Sequence, residues 1–325
     1  MKAVQIETFG SPDVLEYKEL DTPTPGEQEV LIDVTAIGVN FADTMRRQDA
    51  YVVETPLPFI PGSEVVGTVS AKGNGVSGQV QEGQRVAALI GEGAYAEQVT
   101  AHEKTLIPVP ENLSDEEAAA LPLQGLSAYH IIHTMGRLEA GETILIHAAA
   151  GGVGTLAVQL AKEAGAGTII ATASTEKKRQ TALDLGADHA VDYTKDDWKE
   201  EVLKLTGDKG IDVALEMAGG SIFHDTLEIL APFGRLVFFG AASGELPEFS
   251  PFSLLEKNKS VIGFFLPQMM ARPKAFQESL ETIMQLAAEG KLKLTIGGTY
   301  PLREAASLHE DMENRRTSGK MILTP

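Results

Sequence analysis

The chain of 325 residues contains no cysteine and a single tryptophan. The missing thiols exclude disulfides, a cysteine nucleophile and every thiolate zinc site. Cations are scarce: 27 Lys and Arg stand against 46 Asp and Glu, for a formal charge of −19. A field of that sign repels nucleic acid and anionic membrane surfaces, so neither is expected as a partner. It also makes local cation clusters, Lys177-Lys178-Arg179 and Arg315-Arg316, more informative than their size suggests. Long apolar runs are absent, and stretches such as 143–150 are too short to span a bilayer. The opening MKAVQIETFG alternates like a strand and lacks the apolar core of a signal peptide, so a cytoplasmic protein is expected.

What is present is a strand, a glycine loop and a helix. Residues 147–162 read HAAAGGVGTLAVQLAK. An apolar strand over 143–147 runs into small residues, and an Ala-rich helix follows to 164. Ala150, Gly151, Gly152, Val153 and Gly154 form the candidate phosphate loop. Small residues let a backbone approach a bulky anion, and the helix behind them offers free N–H groups and its positive dipole end. With a second strand over 168–173, this order opens a dinucleotide-binding βαβ unit; a tight structural turn is the alternative. Gly152→Val is expected to abolish cofactor binding while leaving the protein folded.

The second strand selects the cofactor. NAD binders place Asp or Glu about 20 residues past the glycines, on the ribose 2′-hydroxyl. Here the strand ends Ala173-Ser174 with no acid, and Thr175-Glu176-Lys177-Lys178-Arg179 follows. A hydroxyl followed by cations suits a 2′-phosphate, so NADPH is expected over NADH, with Ser174 and Lys178 as contacts. A solvated helix start with ordinary surface charge is the alternative.

Two architectures share the chain. Residues 1–124 carry short β-rich runs separated by Gly and Pro turns, which predicts a barrel-like β unit. Ser114 and Glu117 make a capping box for a helix there. Over 125–266, apolar strands alternate with helical stretches, which predicts a doubly wound parallel sheet and places the protein in the α/β class. Residues 267–325 are expected to return to the first domain.

Several segments carry a family resemblance: VNFADTMRRQDAY (39–51), IPGSEVVGTV (60–69), LPLQGLSAYH (121–130), the glycine loop, LGADHAVDY (185–193), GRLVFFGAASG (234–244) and NRRTSGKMILTP (314–325). In order and spacing, the chain resembles the quinone oxidoreductases of the zeta-crystallin type, a zinc-free branch of the medium-chain dehydrogenase/reductase superfamily. The resemblance implies a GroES-like β-barrel catalytic domain, a Rossmann-type cofactor domain, NADPH, and a catalytic cleft between the two. It implies a homodimer joined near 261–265. Zinc-dependent relatives carry a Cys where this chain has Asn40, and Gly-His-Glu where it has Gly62-Ser63-Glu64. The segment 83–96 is too short for a structural zinc lobe, so no metal is expected. Without a Lewis acid, reduction of an electrophilic acceptor, a quinone or an enone, is the expected chemistry.

The resemblance also implies site residues. Asn40 faces the nicotinamide in similar enzymes, where its amide would bond a substrate carbonyl; stabilising a turn is the alternative. Asp43 is a second catalytic candidate, with capping of the next helix favoured for it. Tyr51 matches a tyrosine near the cleft, although Gln48-Asp49-Ala50 lacks the glycine usual before it. Ser127 and Tyr193 match cofactor neighbours. Gly240 and Ala241 end a strand at the sheet edge where doubly wound folds bind ligands. Phe264 and Phe265 offer backbone groups or core packing. Arg315, Arg316 and Lys320 either flank the cofactor or are surface charges. His130, His133 and His147 are read as structural, and Trp198 as a packing anchor. An enone, enal or enoyl-thioester reductase, and a non-catalytic NADPH-binding protein, remain alternatives.

Overall fold

The computed structural model describes residues 1–325. The chain divides into two compact units, Met1–Leu123 with Thr295–Pro325, and Gln124–Leu294. The second boundary differs from the expected 267. The helix Pro273–Ala288 belongs to the second unit, where Ser279 meets the His130 ring at 3.1 Å. Gln159 also clasps Lys293, accepting from its N–H at 2.7 Å and donating to its carbonyl at 3.1 Å. An amphipathic helix shows that it has a buried face, but not which sheet covers it.

The first unit is built on the eleven-residue strand Glu29–Val39. Along one side it pairs antiparallel with Glu64–Lys72. Its other side is divided: Glu29 to Asp33 pair with Gln98–His102, and Ile37 to Val39 with Lys320–Thr324. Seven strands join this sheet. Their inward side chains, among them Val30, Ile32, Ile37, Val65, Val86 and Leu323, form one apolar core with Leu308 of the helix Ala305–Glu313. The register decides the site. Val39 lies opposite Met321, and Gly38 opposite Glu64, so the strand's end at Asn40 meets Lys320 and Glu64. A Cβ at Gly38 would fall 2.5 Å from a Glu64 carboxylate oxygen, so only glycine leaves room for that acid.

The second unit holds six parallel strands. From edge to edge they are His189–Val191, Thr168–Thr172, Thr143–Ile146, Ile211–Glu216, Leu230–Phe238 and Ser260–Gly263. The order reverses between Thr143–Ile146 and Ile211–Glu216, and ligands of doubly wound sheets bind at the carboxyl ends beside such a reversal. The helices fall where alternation predicted them: Gly152–Glu163, Glu176–Asp184, Trp198–Leu205 and Gly220–Glu228. Leu230–Phe238 begins earlier than the strand over 234–239 that its apolar run predicts, since Phe233, at φ 64°, carries the chain through an irregular bend inside it. Trp198 is buried and meets the His147 ring edge-on, as an anchor should. No helix is long and apolar enough to cross a membrane.

Candidate functional site

In the second unit, Thr143–Ile146 leads through His147 into the glycine loop. Ala148 adopts φ 49°, which turns the chain sharply, and Gly151 donates to its carbonyl at 2.8 Å. The loop glycines differ in what constrains them. A Cβ at Gly154 would lie 2.3 Å from the Ala148 carbonyl oxygen, and one at Gly152 only 1.8 Å from the buried Gln124 amide oxygen. At Gly151 the nearest atom would be 3.2 Å away. Gly154 is therefore needed by the fold, a Cβ at Gly152 would require the Gln124 amide to swing aside, and one at Gly151 would press lightly on the Ala148 carbonyl. The helix from Gly152 begins at this loop without a side-chain cap, so no side chain takes up its first N–H groups. Loop and helix together fit a diphosphate.

Ser174 is half-buried directly after the strand Thr168–Thr172, and Lys178 lies in the first turn of the next helix. Thr175 caps that helix, accepting from the Lys178 N–H at 3.3 Å. Tyr193 follows the neighbouring strand and packs on the cluster holding Val191 and Trp198. Ala241 is buried beside Gly240; the following turn is laced to another, Ala242 donating to Met217 and Ser243 to Ala218. Phe264's N–H is committed to the Phe238 carbonyl at 2.9 Å, and its ring stacks with that of His130. Phe265 caps the helix Leu266–Met270, and Ser127 is buried in the helix Pro122–Tyr129.

His147 lies between the hydroxyls of Thr172, at 2.9 Å, and Thr226, at 2.8 Å. Burial lowers its pKa to about 4, which suits a structural imidazole held neutral. Glu216 went unnoticed in the sequence. It is fully buried at the carboxyl end of its strand and accepts from Ala218 and Gly219, at 2.5 and 3.1 Å. Burial lifts its acid to about 7 against those bonds. An acid ending an apolar strand was the available signal.

In the first unit, Asn40, Glu64 and Lys320 form a buried cluster. The Asn40 amide nitrogen donates to Glu64 Oε1 at 2.9 Å and to the Gly38 carbonyl at 3.3 Å. Its oxygen accepts from Lys320 Nζ at 2.9 Å, and Lys320 pairs with Glu64 at 2.5 Å. Glu64 Oε2 accepts from the Leu123 N–H at 2.8 Å. Two expectations change. The Asn40 amide is occupied inside the protein rather than offered to a substrate carbonyl. Lys320 is 1% exposed and is not a surface charge. Arg316 does lie at the surface, bridging Glu310 and Asp311. Nor do three His, Asp or Glu side chains gather as metal ligands: Glu64, the one acid at the zinc motif, is held by an ammonium.

Asp43 takes the capping role. Its Oδ2 accepts from the Asn40 N–H at 2.9 Å and from the Tyr95 hydroxyl at 3.3 Å. Tyr95 in turn meets His309 Nε2 at 2.9 Å. Tyr51 is half-buried in a bend beyond the helix Phe41–Arg47. Burial lifts the Asp43 acid from the ordinary 3.8 to about 6. A raised folded-state pKa means the fold favours the protonated form. The stability it contributes is complete below about 3.8 and is lost as pH rises to about 6. Asp43→Asn keeps an acceptor for both bonds and cannot ionise. Relative to this variant, the wild type should lose about 2–3 kcal/mol of stability between pH 4 and pH 7, measured by urea unfolding. Parallel pH profiles would refute the assignment.

Residues 26–111 match the alcohol dehydrogenase GroES-like domain, and residues 152–287 the zinc-binding dehydrogenase domain. A quinone oxidoreductase of Pseudomonas aeruginosa is 35% identical across 100% of this chain and 99% of that protein. A 2-haloacrylate reductase of Burkholderia is 34% identical, across 99% of this chain and 98% of its own. The Escherichia coli quinone oxidoreductase solved with NADPH is 32% identical, with a TM-score of 0.94 and full coverage of both chains.

Proposed function

Since the chain belongs to the zinc-free quinone oxidoreductases of the medium-chain dehydrogenase/reductase superfamily, we propose that it is an NADPH-dependent, metal-free reductase of a quinone or related electrophilic carbonyl compound. The observation that carries the cofactor is the end of Thr168–Thr172, where Ser174 and Lys178 stand and no acid awaits a ribose 2′-hydroxyl. NADPH supplies the hydride when bound. The loop at Ala150 to Gly154 would hold the diphosphate against backbone N–H groups, and Ser174, Lys178 and Tyr193 would receive the adenosine 2′-phosphate. Ser127, Gly240, Ala241, Phe264 and Phe265 would border the rest of the cofactor, with Tyr51 towards the acceptor. Asn40, Glu64 and Lys320 satisfy one another, so they hold a backbone in place rather than deliver a proton. The hydride would carry both electrons to the quinone, and a proton from solvent would complete the hydroquinone.

A second reading within this class is reduction of an activated alkene, favoured by the full-length similarity to a 2-haloacrylate reductase. The discriminating measurement is initial rates of NADPH and NADH oxidation with 1,4-benzoquinone, 9,10-phenanthrenequinone, an enone and an enoyl thioester, with and without EDTA. EDTA-resistant, NADPH-preferring turnover of the quinones is expected. Turnover of alkenes alone would transfer the assignment to the second reading; NADPH binding without turnover would support a binding protein. A homodimer paired along the edge strand Ser260–Gly263 is part of the proposal. It is supported by exposed Phe252 and Leu255 just before that strand, and mass in solution tests it.

A further inference from the structure

The strands Thr168–Thr172 and His189–Val191 run side by side, with Thr172 opposite Val191. The loops that leave their carboxyl ends carry Ser174 and Tyr193. One side chain spans both loops. Arg179 Nη1 donates to the Ala173 carbonyl at 3.2 Å and pairs with Asp192 Oδ2 at 2.9 Å. Its Nη2 pairs with Glu176 Oε2 at 2.8 Å. Ala173 immediately precedes Ser174, and Asp192 immediately precedes Tyr193, so the guanidinium ties the two positions together.

Its two carboxylate partners are not equivalent. Arg179 and Asp192 are each 16% exposed, whereas Glu176 is 82% exposed. Asp192 is itself held by Thr194, accepting from its hydroxyl at 2.7 Å and its N–H at 3.1 Å. Glu176 is tied only as an i,i+3 partner on a helix surface, and such pairs are weak. A guanidinium presents separate edges, so one can stay on Asp192 while the other changes partner.

We infer that Arg179 is a determinant of 2′-phosphate selectivity, with Glu176 as its placeholder: the Nη1 edge stays on Ala173 and Asp192, and the Nη2 edge exchanges Glu176 for the phosphate. This rests on the NADPH reading of the loop. The exchange is favourable because a phosphate oxygen accepts a charge-assisted bond, while the released Glu176 returns to water at little cost. It also reduces the repulsion between Glu176 and the phosphate. The first-turn acid, which in sequence looks like ordinary dipole matching, acts here as an internal competitor.

The test is the dissociation constants of NADPH and NADH, by nucleotide fluorescence, for the wild type, Glu176→Gln, Arg179→Gln and Arg179→Lys. Glu176→Gln should tighten NADPH by about 3-fold or more and leave NADH unchanged. Arg179→Gln should weaken NADPH by about 10-fold or more and NADH far less, with Arg179→Lys between. A purely structural Arg179 would lower both affinities equally, and Glu176→Gln would then move neither. Glu176 is exposed, so that variant decides the matter even if Arg179→Gln unfolds. If the wild type fails to prefer NADPH, the cofactor reading falls and the inference with it. If the wild type prefers NADPH and Glu176→Gln leaves the ratio unchanged, the placeholder inference alone is overturned.

Discussion

Lys320→Met should destabilise the protein by about 3–5 kcal/mol, the loss that follows when one partner of a buried ion pair is removed. The carboxylate of Glu64 is fully buried and would keep only the Asn40 amide and the Leu123 N–H as partners. Two hydrogen bonds do not compensate a desolvated charge lacking its counter-ion. Removing both charges should be much milder. The double variant Lys320→Met, Glu64→Leu should recover at least about half of the loss, since a buried pair adds little over apolar side chains of similar volume. Equilibrium urea unfolding of the four proteins closes the cycle. A single-variant loss below about 1 kcal/mol would mean that Glu64 does not depend on the ammonium. Without the Lys320 ammonium, the Asn40 amide oxygen loses that donor, while the backbone pairing of Ile37 to Val39 with Lys320–Thr324 remains.

The second large effect separates two glycines of one loop. Gly154→Val should cost about 3 kcal/mol or more, because its Cβ meets backbone, the Ala148 oxygen at 2.3 Å and the Ala149 Cα at 2.7 Å. Gly151→Ala should cost under about 1 kcal/mol, since its closest contact, at 3.2 Å, yields with a small shift. It should nonetheless weaken NADPH by about 10-fold or more if the loop backbone meets the diphosphate as proposed, since a methyl keeps a bulky anion from that backbone. Thermal unfolding and fluorescence titration read the two effects separately. Undiminished NADPH affinity in Gly151→Ala would overturn the phosphate-loop assignment. Gly152→Val, expected from sequence to leave the fold intact, is a poorer test. Its Cβ would strike the buried Gln124, so lost binding would not distinguish a blocked ligand from a disturbed fold.

Much of the architecture was legible because it rests on periodicity and local chemistry. The apolar runs at Ile144-Leu145-Ile146 and Leu236-Val237-Phe238-Phe239 marked strands covered on both faces, and both lie in the parallel sheet, the second ending at Phe238. The Ser114–Glu117 capping box forms as its spacing predicts. Histidines 130 and 147 are held by hydroxyls, in keeping with the structural roles read for them. The unit boundary at Thr295 was not legible, because the helix Pro273–Ala288 carries no mark of the unit that buries it. The buried acids left only a faint trace, a lone charge at the end of an apolar run.

By itself, the sequence determined the α/β class, the order of strands and helices, and the glycine loop with its missing acid. Each depends on residues within a turn or two of one another. Tertiary structure alone decided which charges meet. Asn40, Glu64 and Lys320 are separated by up to 280 residues and converge through the register of three strands. Arg179 reaches Asp192 because parallel pairing sets two strand ends side by side. A charge's partner is set by which strands pair and in what register, and local pattern does not encode that pairing.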